Sequence, residues 1–344
     1  MTGIVEARVI DCHAHVRIEL DMGPEWKHGP EFGVDSIGKS WYRIGNYRLA
    51  GIKHSNSPFT NAELRIQAMA TAGIDFQVLS PSPLTYFHFI GDADAIEYCR
   101  RWNEGLSRLI HAHPDKLAGL ATLPMQNIQA AAEELRRATR ELGLSGAAIG
   151  TDFGRPLDGA DLDPLYEAFC ELDVPLFIHP GPAGLDGPPG DPNLKRFDLD
   201  VVCGFAAQNT IAVATLIYGG VLRRHAQLDI CISDGGGAAP FLAGRMRQAA
   251  RKRPWAPDWL KQAGAFEEQF GRLWFDTNVS AQGALDLLVQ VAGVERLVYG
   301  TNFAGWDQQD SVKAGPDLPG LADNARRLLR AGGRRPSSVR PPAQ

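Results

Sequence analysis

Two histidines one residue apart close the first β-type run of the chain, Val9-Ile10-Asp11-Cys12-His13-Ala14-His15. Side chains two apart on a strand share a face, so the imidazoles of His13 and His15 can aim at a single point. Converging neutral imidazoles suit a divalent metal ion. A third stands in Pro175-Leu-Phe-Ile-His179-Pro180, where another apolar run gives way to proline and glycine. At the same ends of two parallel strands, the three make a His-rich site, for which zinc is the first expectation and manganese or iron the alternatives. The pattern alone is not sufficient: His111-Ala112-His113 repeats it, but that pair closes a helical stretch before Pro114 and is given no function.

The elements that must carry these residues are eight short apolar runs, each followed by a helical pattern: 9–11, 76–80, 118–123, 146–150, 175–179, 229–233, 273–276 and 297–300. Strands alternating with helices predict an α/β protein, a (β/α)8 TIM barrel with its site at the carboxyl ends of the strands. The clearest helix is 127–142, where Ile128, Ala131, Leu135, Ala138 and Leu142 recur at spacings of three and four. Similar patterns fill 61–72, 93–111, 164–172, 207–225, 283–291 and 320–331. Composition does not shift along the chain, so one domain is expected over 1–331, with a lid-like insertion at 17–60. The Gly- and Pro-rich segment Gly181 to Asp191 is expected as an active-site loop, and the Arg-, Pro- and Ser-rich tail 332–344 as disordered.

The 344 residues carry 40 acidic and 35 basic side chains, a formal net charge of -5, with no basic stripe to neutralise phosphates, which argues against a nucleic-acid partner. Five scattered cysteines, Cys12, Cys99, Cys170, Cys203 and Cys231, form no disulfide framework and point to the cytoplasm. No apolar stretch is read as approaching the roughly 18 residues of a membrane span.

Seven motifs follow in order: Ile10-Asp-Cys-His-Ala-His, Gln77-Val-Leu-Ser-Pro-Ser-Pro, Leu123-Pro-Met-Gln, Phe177-Ile-His-Pro, Asp234-Gly-Gly-Gly-Ala-Ala-Pro-Phe-Leu-Ala-Gly-Arg, Tyr299-Gly-Thr-Asn-Phe and Asn324-Ala-Arg-Arg-Leu. In that order and spacing the chain resembles the amidohydrolase-related group that includes aminocarboxymuconate-semialdehyde, γ-resorcylate and carboxyvanillate decarboxylases. The resemblance implies that His13, His15, His179 and an eighth-strand residue, here Asn302, hold the metal, and that a sixth-strand residue, here Asp234, is catalytic. Both of these last positions depart from the group, which has aspartate in place of Asn302 and histidine in place of Asp234. An amide keeps a carbonyl oxygen but removes a charge, and a unit charge pair at about 4 Å is worth roughly 4 kcal/mol at an effective dielectric near 20. Asp234 restores a negative charge, as base, ligand or anchor for water.

The resemblance also implies a homodimer in which Arg245 crosses the interface to a substrate carboxylate, with Arg48 as a second carboxylate-binding residue; guanidinium forks suit that ligand. His54, Tyr86, His88, Trp274 and Trp306 are pocket candidates without an assigned role. The expected function is a metal-assisted lyase, most simply non-oxidative decarboxylation of a small carboxylated aromatic or unsaturated substrate. Two alternatives stand: a metal-dependent hydrolase of an amide, ester or lactone, and a metal-depleted barrel repurposed for ligand binding or metal-free catalysis.

Overall fold

A computed structural model describes residues 3–50, 56–182, 191–303, 305, 308 and 318–333. Eight parallel strands close a barrel: β1 (Ile10–Val16), β5 (Phe76–Pro81), β6 (Leu117–Gly119), β7 (Ala147–Ile149), β8 (Leu176–Ile178), β9 (Ile230–Ile232), β10 (Trp274–Asp276) and β11 (Leu297–Val298). Continuous pairing runs β1-β5-β6 and β7-β8-β9-β10-β11. Parallel bridges Ala121↔Ala147 and Ala14↔Phe303 complete the ring. Each of the eight strands overlaps a run read from the sequence, β1 continuing to Val16 beyond the expected 9–11.

Alternation divides the strand residues between two cores. Ile10, Cys12, Phe76, Val78, Ala118, Leu120, Ala148, Cys231, Trp274 and Val298 fill the barrel interior. Ala14, Val16, Leu79, Leu117, Ala147, Ile149, Leu176, Ile178, Ile230, Ile232, Phe275 and Leu297 pack outward against the helices. Near-continuous apolar strands are what a sheet buried on both faces requires.

The main covering helices are α1 (Ala62–Ala72), α2 (Asp92–Ala112), α3 (Ile128–Arg140), α4 (Asp163–Leu172), α5 (Gly204–Tyr218), α6 (Ala239–Lys252), α7 (Gln282–Ala292) and α8 (Leu321–Leu328). Asn61 and Asn127, where the sequence pattern begins, are the N-caps of α1 and α3, their side chains accepting from the backbone N–H of Leu64 and Ala130. The expected helix 207–225 is two pieces, because the chain breaks at Gly219-Gly220 before a short turn Val221–Arg224. α6 was not foreseen. Its start, with Pro240 in the first turn, follows directly on three glycines that mask the helical pattern.

The reading of the chain as free of any span-length apolar stretch needs correction. Leu199–Tyr218 covers 20 residues with mean hydropathy 1.5, long and apolar enough for a bilayer. It is nevertheless interrupted at Cys203, and in α5 the side chains of Ala212, Val213, Leu216 and Ile217 pack into the barrel's outer core.

The insertion at 17–60 contains more order than a lid loop. Its strands β2 (Glu31–Val34), β3 (Ser40–Ile44) and β4 (Tyr47–Ala50) form an antiparallel sheet in which Tyr42 and Ile44 point into the core and Trp41 and Arg43 lie on the other face. Most of the segment Gly181 to Asp191, all but the first two residues of the tail, His54 and Trp306 lie outside the described residues.

Candidate active site

His13, His15 and His179 come together at the carboxyl end of the barrel, each less than 8 % exposed, with one ligand atom from each within 4.8 Å of the others. The ring centroids are 4.9–5.0 Å apart and every pair of planes crosses at 82–83°. That is a nearly three-fold cluster of imidazoles facing one point.

Reaching this point takes a backbone irregularity that the sequence spacing did not reveal. β1 pairs Asp11 with Gln77 but Ala14 with Leu79, so β1 carries one residue more than β5 between these pairs. Ile10 and Cys12 face the barrel interior, whereas Ala14 and Val16 face outward. Without the extra residue, strict alternation would send His13 and His15 outward. The bulge reverses the parity and turns both imidazoles inward.

The ring nitrogens are divided by role. Nδ1 of His13 donates to Asp276 Oδ2 at 2.8 Å, Nδ1 of His15 to the Pro81 carbonyl at 3.1 Å, and Nδ1 of His179 to the Pro180 carbonyl at 2.7 Å. Protons held on Nδ1 leave Nε2 as the lone-pair donor, and Nε2 of His13 lies 3.3 Å from Nε2 of His15. With bonds of about 2.0–2.1 Å, two nitrogens at a tetrahedral angle on one zinc ion would be roughly 3.3–3.4 Å apart. The donors therefore fit a divalent ion in both chemistry and spacing. An acceptor on the far nitrogen of a ligating histidine fixes its tautomer and strengthens it as a ligand.

Electrostatics point the same way. Burial opposes a charge on His13, but the carboxylates of Asp276, Asp234 and Asp11 outweigh it and raise the pKa to about 9. Burial, reinforced by the neighbouring imidazoles, holds His15 well below its usual range. The pocket thus favours one positive charge among three rings, the place a cation takes.

Asp276, at the end of β10, was not singled out in the sequence. The available signal was its place as the acid ending a barrel strand, where catalytic residues concentrate. Gly300 is what lets it approach: a Cβ there would lie 2.8 Å from His13 Cβ and 2.9 Å from Asp276 Cβ.

Asp234 follows β9 at φ 51 and begins a turn continued by three glycines with positive φ. Its Oδ2 accepts from Ser233 Oγ at 3.0 Å and Asn209 Nδ2 at 3.2 Å, and its Oδ1 from Asn278 Nδ2 at 2.9 Å; Oδ1 also lies 4.0 Å from His13 Nδ1. Burial opposes its charge, yet His179, His13 and the donors from Asn278 and Ser233 prevail and hold it below the ordinary carboxylate range. It is a fixed anion facing the triad.

Asn302 is buried, at φ 50, and its backbone carbonyl accepts from Gly305 N at 2.7 Å. Its carboxamide occupies the space a Gly305 side chain would take. Asn tolerates the left-handed region, which gives this position a backbone reason for its residue type. Arg48 is exposed on β4 and stacks over Trp41 at 4.5 Å. Arg245 is exposed on α6. Among the described residues, no hydrogen bond or ion pair joins either arginine to the triad. Of the pocket candidates, His88 stacks on Tyr86 beside Gly150, while Trp274 lies in the barrel interior between Arg296 and Arg327.

The amidohydrolase family's sequence profile matches residues 10–331, nearly the whole chain, and the protein belongs to that family. It is 31% identical over 244 residues to the 2-amino-3-carboxymuconate-6-semialdehyde decarboxylase of Dictyostelium discoideum, covering 70% of this chain and 66% of that one. It is 25% identical over 309 residues to the 2-keto-4-carboxy-3-hexenedioate hydratase of a Sphingobium strain, covering 86% of this chain and 83% of the relative. Among solved structures, 5-carboxyvanillate decarboxylase from Novosphingobium aromaticivorans, complexed with manganese and 4-hydroxy-3-methoxy-5-nitrobenzoic acid, aligns with a TM-score of 0.69 at 26% identity over 79% of this chain and 81% of that one.

Proposed function

We propose that the protein is a metal-assisted decarboxylase of a small aromatic or unsaturated carboxylic acid. The observation that carries this reading is the buried cluster of three imidazoles whose ligand atoms converge within 4.8 Å while an acceptor meets the Nδ1 of each ring. His13, His15 and His179 would hold the ion, with Asn302 or Asp234 supplying an oxygen. A set dominated by imidazoles favours zinc, and the manganese of the Novosphingobium relative makes that ion the second candidate. When bound, the ion supplies Lewis acidity that draws electron density from substrate oxygens.

The remaining work falls to the chain. Asp276 holds the His13 ring in orientation. Asp234, fixed by three side-chain donors, takes up a proton at Oδ1 and passes it to the carbon that loses carbon dioxide, so that RCOO⁻ and H⁺ become RH and CO2. Arg245 from a second subunit, and Arg48, would hold the substrate carboxylate. The five free cysteines support a reducing compartment, the cytoplasm.

Addition of water to an unsaturated acid is the second reading, favoured by the hydratase relative and by an ionised Asp234 able to take a proton from water. The test is incubation of the metal-loaded protein with carboxylated phenols and unsaturated di- and tricarboxylic acids. Carbon dioxide released in proportion to substrate consumed supports decarboxylation. Uptake of oxygen-18 from water without carbon dioxide overturns it in favour of hydration or hydrolysis.

A further inference from the structure

We infer that Arg65 and Gln77 are positioning residues of the histidine site, forming a buried strut that grips the β1 bulge at both ends and so sets the aim of His13 and His15. Arg65, on α1, is 1% exposed. At a helix position facing the barrel an apolar side chain is the ordinary choice, because a buried guanidinium is costly unless its donors and its charge are satisfied. Its Nη2 donates to the backbone carbonyl of His15, beyond the bulge, and its Nη1 to Gln77 Oε1 at 2.9 Å.

Gln77 carries the grip to the other end. Its Nε2 donates to Asp11 Oδ2 at 2.9 Å, directly before the bulge. With oxygen toward a cation and nitrogen toward an anion, the amide has one sensible orientation, and it couples two buried charges that do not touch. Asp11, fully buried, also accepts from the N–H of His13 at 3.1 Å and from the N–H and hydroxyl of Thr301 at 3.1 and 2.7 Å. The first of these satisfies a donor that the bulge takes out of the β1–β5 ladder. The last two tie in the residue preceding Asn302. Behind Arg65 lies the ring of Phe303, at 5.0 Å, whose backbone pairs with His13 and His15.

The consequence is that ring placement depends on side chains that never face the ligand point. Because the bulge reverses the parity of β1, a relaxation of it would move both imidazoles together rather than one. The inference rests on the metal reading, and its test separates the two. Zinc and manganese would be titrated into the chelator-stripped wild type and the Gln77→Glu, Arg65→Met, Arg65→Lys and Thr301→Val variants, and the thermal midpoint of each apoprotein recorded.

Gln77→Glu keeps the size of the side chain but faces Asp11 with a second carboxylate. Affinity should fall 10- to 100-fold in Gln77→Glu and Arg65→Met, the range typical when partners behind metal ligands are altered. It should recover in part in Arg65→Lys, which keeps a cation for the His15 carbonyl. Should those variants fail to fold, Thr301→Val, which removes one bond to Asp11, should still weaken binding several-fold. Folded variants that differ in thermal midpoint but bind metal as the wild type does would overturn the inference. A wild type that binds neither ion would overturn the metal reading beneath it, an outcome visible before any variant is made.

Discussion

At the scale of single residues, the site is defined by which nitrogen of each imidazole is occupied. Because Asp276 holds His13 by Nδ1, Asp276→Asn should weaken metal binding by about 10- to 100-fold while leaving the fold intact, measurable by metal titration against thermal melting. A proton and a metal ion compete for His13. With its pKa raised to about 9 in the apoprotein, apparent metal affinity should fall by roughly tenfold for each pH unit below that value, a slope that isothermal titration at several pH values would show. Asp234→Ala should lower turnover by roughly 10²- to 10⁴-fold with metal still bound, the span usual for loss of a proton-transfer group, and metal-content analysis would separate this from a loss of the ion.

The three histidines were legible because imidazole is a scarce, chemically specific donor and each ends an apolar run. Asp276 was not, because one acid at the end of one strand looks like any polar residue entering a loop. Asp234 and Asn302 were legible as departures from a resembling group, but not in their state: it takes the structure to show that His179 and His13, with donors from Asn278 and Ser233, hold Asp234 below the ordinary carboxylate range.

At the scale of elements, turns after the strands decide where the chemistry sits. The Asp234-Gly-Gly-Gly turn sends the chain from β9 into α6 with no room for side chains. A Cβ on Gly237, at φ 63, would lie 2.1 Å from the Ala206 carbonyl oxygen. Gly237→Ala should therefore destabilise the protein and reduce activity together, because the shift would carry Asp234 with it. A drop in urea midpoint accompanied by lower turnover is the expected result. The barrel strands could be read from the sequence because burial on both faces writes continuous apolar runs. The insertion sheet could not, since β2, β3 and β4 are four or five residues long, β3 and β4 bury side chains on one face only and β2 buries none. The β1 bulge is invisible in sequence for a different reason: it is a property of the pairing with β5.

At the scale of the whole molecule, a carboxylated substrate needs a cation, and among the described residues neither Arg48 nor Arg245 bonds to the histidine triad within one chain. Arg245 is exposed on α6, and on the packed pair α5–α6 the side chains of Ile211 and Phe241 are 65% and 78% exposed. Exposed apolar side chains beside Arg245 are what a face covered by a second copy would carry. Sedimentation should give a dimer. Arg245→Ala should raise KM by roughly 10- to 100-fold, the worth of a charged hydrogen bond to a carboxylate, and Phe241→Asp should give monomers that show the same defect.

Elemental analysis of the chelator-free protein, wild type beside His13→Ala, asks whether the three histidines hold a metal that the chemistry needs. Close to one divalent ion per chain is expected in the wild type, loss of both the ion and carbon dioxide release in His13→Ala, and tighter binding when Asn302→Asp restores a carboxylate. A metal-free wild type whose activity survives His13→Ala would contradict that expectation.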